Sequence, residues 1–451
     1  MRAAAYFIYS LIAINVSFGQ PANNALPANE LESRNRKWRE DIQYFKERFP
    51  AYDKTYTPVL FSNHTDSNNL HYAIEQNNLE PFLRGVDSLY NAVNTLNDEQ
   101  LMIGLCKLIA LSPNAHTRLY LFRVRTVMNN LPLGIHWFDQ DLHIIAAPPA
   151  YKQLLGAKIK AINDVSIDSV KKRVDALISG NTHWKKYMSL YFLRSPQALK
   201  GLGLGTDGDQ LTLAVEPLHG KAKTVLMKAD FVHQSATLEV WKDLSPVTVK
   251  KDSLAHLLGT DIKKLPLYLQ HTDKAYSYQY LKDEGLVYLQ FNRAVNSKEK
   301  TFSDLVREMV TAIKDQPFTK FVFDLRFNTG GSIEVSEKAI EMLAPYLRNK
   351  KSYVITGHST FSAGIVPAGI FKKLTGAKVV GSPAGDALIF LSEGGNVVLP
   401  HSKLHAHYAN GLLNWSIEKG FTIHPDKTIT VSFSDYVKGE DTILNFILNE
   451  E

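Results

Sequence analysis

Cysteine is all but absent from this chain: Cys106 is the only one in 451 residues. An intrachain disulfide is therefore impossible, and a metal site built from clustered thiolates is excluded. Stability has to come from packing. No cysteine stands near the amino terminus to carry a lipid. Runs of one charge are also missing: the formal net charge is +6, spread without a dense Lys/Arg tract, which argues against nucleic acid as a partner. Past the first residues no apolar stretch approaches the roughly 20 residues of a membrane-crossing helix. Internal repeats and low-complexity tracts are lacking too.

What remains is the composition of a globular protein, 45% apolar and 21% charged, long enough for about three domains. Residues 1–19 read as a secretory signal: Arg2, an apolar stretch from Ala3 to about Val16, then Ser17-Phe18-Gly19 as a small-x-small cleavage site before Gln20. As a membrane anchor that stretch is short. The expectation is an exported chain, periplasmic or extracellular, with no membrane span after cleavage.

From about Leu31 to Leu121 the apolar spacing is helical: Trp38, Ile42, Phe45 and Phe49, then Leu101, Leu105, Leu108 and Leu111, recur at three- and four-residue steps. A helical domain is expected over 20–125. It ends in the turn-forming run Ser112-Pro113-Asn114-Ala115-His116-Thr117, so His116 sits where helix gives way to strand. Over 130–230, Lys158-Ile159-Lys160-Ala161-Ile162 with an Asn163-Asp164 turn, followed by a helix capped near Asp168-Ser169, resembles the carboxyl half of a PDZ domain. Such modules hold peptide ends by adding a strand to a sheet edge. Residues 231–284 show no period and read as a connecting arm. From Gly285 strands and helices alternate: Leu286-Val287-Tyr288-Leu289, the stripe Phe302, Leu305, Val306, Met309, Val310 and Ile313, a strand at 321–325, a helix over Val335 to Leu347, a strand at 353–355, a helix over Ala363 to Leu374, and Lys378-Val379-Val380-Gly381. The fold class is α/β with a mostly parallel sheet in a core over 285–451.

Chemistry concentrates in Asp324-Leu325-Arg326-Phe327-Asn328-Thr329-Gly330-Gly331-Ser332 and in Thr360-Phe361-Ser362-Ala363-Gly364. An apolar strand running into a glycine-paired loop exposes backbone N–H groups at the carboxyl end of a sheet. Ser362 lies at a helix start, where the N–H of Ala363 lacks an intrahelical partner, and Gly331 lets the backbone approach a substrate carbonyl. Acyl transfer needs such a hydroxyl and such a pair of donors. Ser362 alone reads as an ordinary N-cap, and Gly330-Gly331 alone as a tight turn. Their order on consecutive strand–helix units is what links them. His405 and His407 would share one face of a strand, but no carboxylate in the same run completes a metal set. No metal and no cofactor is called for.

Asp324-Leu325-Arg326-x-Asn328-x-Gly330-Gly331-Ser332, Phe361-Ser362-Ala363, Gly381 with Gly385, and Gly420 with Pro425-Asp426 together resemble the carboxy-terminal processing (tail-specific) serine peptidases, in their tricorn-like and retinoid-binding-protein-like branch. The resemblance implies a ClpP/crotonase-type core beside the PDZ-like and helical domains. It implies Ser362 as nucleophile, His116 as base, Glu418 orienting the base, and Gly331 and Ala363 as oxyanion hole. A second branch of the family uses a lysine beyond the serine, but that region reads Gly385-Asp386-Ala387 here. Ala115 stands where the tricorn-like relay has a serine, and Gly381-Ser382-Pro383-Ala384-Gly385-Asp386 stands where the family shows Gly-Glu-x-Thr-Gly-Gly.

Two functions follow as expectations: an exported peptidase acting through an acyl-enzyme on peptides or unfolded protein tails, or a catalytically silent peptide-binding protein of the same fold. A third, acyl-thioester chemistry on a crotonase-type core, fits poorly with export. If the first holds, His116 and Ser362 should come within hydrogen-bond reach.

Overall fold

Strand Leu286–Phe291 is buried along its whole length, as a strand covered on both faces must be. In the computed structural model, which describes residues 27–56, 79–122, 128–229, 231–232, 239–248, 254–415 and 423–450, it lies inside a six-stranded sheet. The expected signal, residues 1–19, lies outside the described residues. The sheet order is Tyr276–Leu281, Leu286–Phe291, Lys320–Asp324, Lys351–Thr356, Lys378–Gly381 and Lys427–Thr428. The first pair is antiparallel and every later pair parallel.

The two-residue side-chain period of a strand decides which neighbour each residue meets. Val287, Leu289 and Phe291 face one core with helix Phe302–Ile313 and residues Phe321, Phe323 and Phe371. Leu286 and Tyr288 face the other, with Val322, Tyr353 and Ile355 against Ile443, Leu444 and Ile447 of helix Thr442–Asn449. Helix Phe302–Ile313 begins at a capping box formed by Thr301 and Asp304.

Two helices of this core are shorter than the sequence pattern suggests. The stretch expected as one helix over Val335 to Leu347 is split into a 3-10 turn Ile333–Val335, helix Glu337–Leu343 and a second 3-10 turn Ala344–Leu347. Pro345, which has no N–H to donate, stands at the second break. The helix expected from Ala363 likewise starts as a 3-10 turn, Ser362–Gly364, and becomes α-helical only over Val366–Thr375.

A second sheet of seven strands, centred on Asp141–Ala147, Lys158–Ile162 and Gln210–Glu216, is antiparallel throughout, with helices Ile167–Asp175 and Thr182–Phe192 beside it. Helices Ala28–Tyr52, Leu79–Asn91 and Asp98–Ile109 form the amino-terminal part. The stretch read as an arm, 231–284, carries strand Tyr276–Leu281 of the six-stranded sheet, and its Trp241 stacks on Phe327 at 4.8 Å.

A short pairing ties the amino-terminal part to the far end of the chain. Strand Arg118–Leu119, just past His116, pairs with His405–Tyr408. Asp53 clasps the same junction: its carboxylate accepts from Thr117 Oγ1 at 2.8 Å and from Ala409 N at 3.0 Å. Among the described residues no helix is long and apolar enough to cross a membrane.

Candidate functional site

The loop after strand Lys320–Asp324 is anchored by charge. Arg326 donates from Nε to Asp324 at 2.8 Å and from Nη2 to Asp441 at 2.8 Å, all three buried. Asn328 then sets the turn. Its Oδ1 accepts from Gly330 N at 3.0 Å, its Nδ2 donates to Phe291 O, and its carbonyl accepts from Phe361 N at 2.9 Å. A single residue thus binds the glycine loop to the residue preceding Ser362.

Gly330 and Gly331 have φ of +102° and +142°, which L side chains rarely adopt. A Cβ on Gly330 would lie 2.9 Å from Ser362 Cβ and 3.3 Å from Ala363 N, so the loop lies directly against the serine. A Cβ on Gly331 would sit 2.1 Å from Ala294 O. The flanking groups are fixed by Ala294 N donating to Gly330 O and Ser332 N to Ala294 O. The N–H groups of Gly331 and Ala363 bond to no acceptor among the described residues. They are two unspent donors on either side of Ser362.

Ser362 itself has φ +56°, a left-handed conformation that costs a non-glycine residue roughly 1–2 kcal/mol. Strain of this kind persists where the surroundings over-determine it, as at a nucleophile held on a sharp strand-to-helix turn. The holding groups are visible: Phe361 N is tied to Asn328, and Ser362 N donates to Asp386 Oδ2 at 3.0 Å.

His116 reaches this place from the amino-terminal part. Its ring stacks on Phe361 at 4.5 Å and on Phe390 at 5.0 Å, and its Nδ1 lies 3.8 Å from Asp386 Oδ2. Gly180, with φ +97°, lets the turn pack closely: a Cβ there would lie 2.5 Å from Ala115 Cβ. Neither ring nitrogen of His116 is hydrogen-bonded to Ser362 or to any other described residue. The two residues are thus linked through Phe361 and Asp386, without the direct bond expected from the sequence. Catalytic hydrogen bonds often tighten only when substrate is bound. Burial between two aromatic rings, followed by the positive Arg118 nearby, holds the imidazole well below its ordinary 6.5. It is neutral at neutral pH, as a proton acceptor has to be.

Asp386 was not foreseen. It is the one ionisable residue between Gly381 and Leu388 in a loop of small residues, and that isolation was the available signal. Its Oδ1 accepts from Ala387 N at 2.9 Å and its Oδ2 from Ser362 N. Those bonds favour the anion, but burial outweighs them and pushes the carboxyl up to about 7. Helix Thr182–Phe192 braces the loop: Asn181 Nδ2 donates to Ala384 O, and Trp184 stacks on Phe361 at 3.8 Å.

Of the residues singled out by sequence, Ser362, His116, Gly331 and Ala363 meet here; Glu418 lies outside the described residues. His405 lies in the strand that pairs beside His116, and His407 packs on Tyr120 at 5.6 Å. Among the described residues no group of three or more His, Cys, Asp or Glu is placed to hold a metal ion.

No protein-family model matches the sequence, nor does any curated protein. Solved structures do. Mature CPAF aligns over 92% of this chain and 96% of its own with a TM-score of 0.58 at 10% identity. CPAF complexed with lactacystin gives 0.59 over 92% and 97%, and a serine-to-alanine mutant of CPAF gives 0.60 over 93% and 99%, both at 10% identity. The photosystem II D1 C-terminal processing protease aligns over 91% of this chain and 98% of its own at 12% identity, with a TM-score of 0.37. At such identities the likeness is one of fold.

Proposed function

We propose that this chain, which shares its fold with mature CPAF, is a serine peptidase of the carboxy-terminal processing kind that cleaves peptides or unfolded protein tails through an acyl-enzyme. The observation that supports the reading is a neutral, buried imidazole packed on Phe361, next to Ser362, together with two backbone N–H groups beside that serine that have no acceptor among the described residues. Ser362 Oγ attacks the peptide carbonyl carbon while its proton passes to His116. The N–H groups of Gly331 and Ala363 receive the oxyanion, and need no reorganisation to do so because the loop already holds them. When the tetrahedral intermediate collapses, His116 gives the proton to the departing amine. Water then repeats the sequence on the ester and frees the serine.

Asp386 has a positioning part in this scheme. With Nδ1 turned toward its carboxylate, His116 keeps a proton on that nitrogen and offers Nε2 as acceptor. The resemblance assigns the orienting carboxylate to Glu418; the geometry supports Asp386. We read the parallel sheet as the ClpP/crotonase-type core, the antiparallel sheet over 130–230 as a PDZ-like holder of the substrate, and residues 1–19 as an export signal.

The test is a comparison of the mature protein with Ser362→Ala. Both are incubated with a mixed peptide pool, and labelling by a serine-reactive phosphonate is measured alongside. Cleavage and labelling by the native protein alone support the peptidase. The missing bond between His116 and Ser362 favours a second reading, a silent peptide-binding protein. Equal, background-level results from both proteins, with peptides still retained, would leave that reading standing.

A further inference from the structure

Away from Ser362, a cavity of about 120 Å³ lies where the antiparallel sheet meets the parallel core. Its walls are largely aromatic and aliphatic: Trp137, Trp241, Leu244, Phe327, Val431 and Ile443. Polar groups converge at one side. Lys186, from helix Thr182–Phe192, lines it half-buried, and its ammonium makes no hydrogen bond or ion pair with any described residue. His136 Nδ1 is buried there without a partner among the described residues. His358 also lines the cavity; its Nδ1 donates to Pro383 O at 3.2 Å, which leaves Nε2 unprotonated in the neutral ring. His183 stacks on His358 at 5.2 Å.

Such a cluster carries a desolvation cost. A desolvated cation and an unsatisfied buried nitrogen each carry a penalty that a partner would remove. Asp139 is the internal carboxylate whose charge favours the Lys186 ammonium, but burial outweighs it and holds the ammonium below its ordinary value. Asp139 lines the cavity but is exposed and already accepts from Thr430 Oγ1, while Arg326, also on the wall, is committed to Asp324 and Asp441. Burial, and then the charge of Lys186, push His136 down to about 3 and His358 to about 4, so the site repels further protons until an anion enters.

We propose that this cavity binds a small carboxylic acid with an aromatic or branched apolar body, the carboxylate meeting Lys186 and His136 and the body filling the space against Trp241 and Phe327. The volume is comparable with the roughly 150 Å³ apolar cavity that admits benzene, which limits the body to about one ring or a short branched chain. Few converging polar groups in an otherwise apolar pocket is the usual makeup of a small-molecule site. His358 stands on the loop that runs into Ser362, so the occupant would touch the segment that carries the serine. Binding itself does not depend on the peptidase reading.

The probe is 3-phenylpropionate, titrated into the full chain with Trp137 and Trp241 emission and calorimetry as readouts, beside its neutral amide. We expect saturable binding of the acid, with the amide at least about tenfold weaker. Lys186→Met, which keeps the stem and removes the charge, should lose acid binding by about the same factor while its circular dichroism and melting temperature hold or rise. His136→Gln is the second variant, and should weaken the acid without affecting the amide. No saturation by the acid, equal binding of acid and amide, or native affinity in Lys186→Met would each overturn the proposal.

Discussion

Replacing Asp386 with Asn separates what its charge does from what its shape does. Burial pushes the folded carboxyl up to about 7 from an ordinary 3.8, so the folded state holds this proton more tightly than the unfolded chain does. As pH rises past 3.8 the unfolded chain gives up its proton first, and the fold loses stability until pH passes about 7. Each pH unit within that window is worth about 1.4 kcal/mol, so from pH 5 to pH 9 the native protein should lose about 2 to 3 kcal/mol that Asp386→Asn does not. The carboxamide has one acceptor oxygen where the carboxylate uses two, for Ser362 N and Ala387 N. That loss adds a pH-independent cost of about 1 kcal/mol to the variant. Histidines held below their ordinary range, such as His136 and His358, titrate in both proteins and cancel in the difference. The assay is denaturation of both proteins across this pH range, with the difference plotted against pH. Peptidase kcat/KM should rise through about pH 7 in the native protein as the carboxylate forms beside Nδ1, and be lower and flatter in the variant. A stability difference that stays level from pH 5 to pH 9 refutes the burial argument, whatever activity does.

Ser362→Gly should be inactive yet more stable than Ser362→Ala by about 1 kcal/mol, because only glycine is at ease at φ +56°; thermal melts of the two decide it. Gly331→Ala drives a methyl to 2.1 Å from Ala294 O and should abolish peptide cleavage together with a lowered melting temperature, whereas normal turnover would remove this loop from the oxyanion hole. Arg326→Met strands the buried carboxylates of Asp324 and Asp441 and should cost about 3 to 5 kcal/mol in urea denaturation; a loss below about 1 kcal/mol contradicts the pairing. Thr117→Val deletes the bond to Asp53 and should cost about 1 to 2 kcal/mol while lowering kcat more than KM, since it loosens the turn that carries His116; a change in KM alone counts against this.

The glycine loop proposed as the oxyanion hole is legible because its constraints are local. Gly330 and Gly331 are where a buried strand must turn at positive φ, and the stripe from Phe302 to Ile313 announces its own helix. The placement of His116 against Phe361, next to Ser362, has no local signal. It depends on two residues, Arg118 and Leu119, pairing with a strand from the other end of the chain, too short to leave a period. Asp386 was read as a departure from a family pattern because nothing in Gly385-Asp386-Ala387 shows that its carboxyl is buried; burial is a property of the assembled fold. Residues 276–281 hid for another reason. Their alternating tyrosines pack a partly exposed edge strand, which reads as polar coil. Helix boundaries failed at Pro345 and at Ser362, where 3-10 turns replace the first or last α-helical turn.

The Asp53 clasp and the pairing of Arg118–Leu119 with His405–Tyr408 mean that the turn carrying His116 is held in place by residues from the far end of the chain. An unfolded chain would, on the proposed mechanism, carry Ser362 without the imidazole of His116 nearby. On that proposal, the site would be complete only once those two ends of the chain have paired.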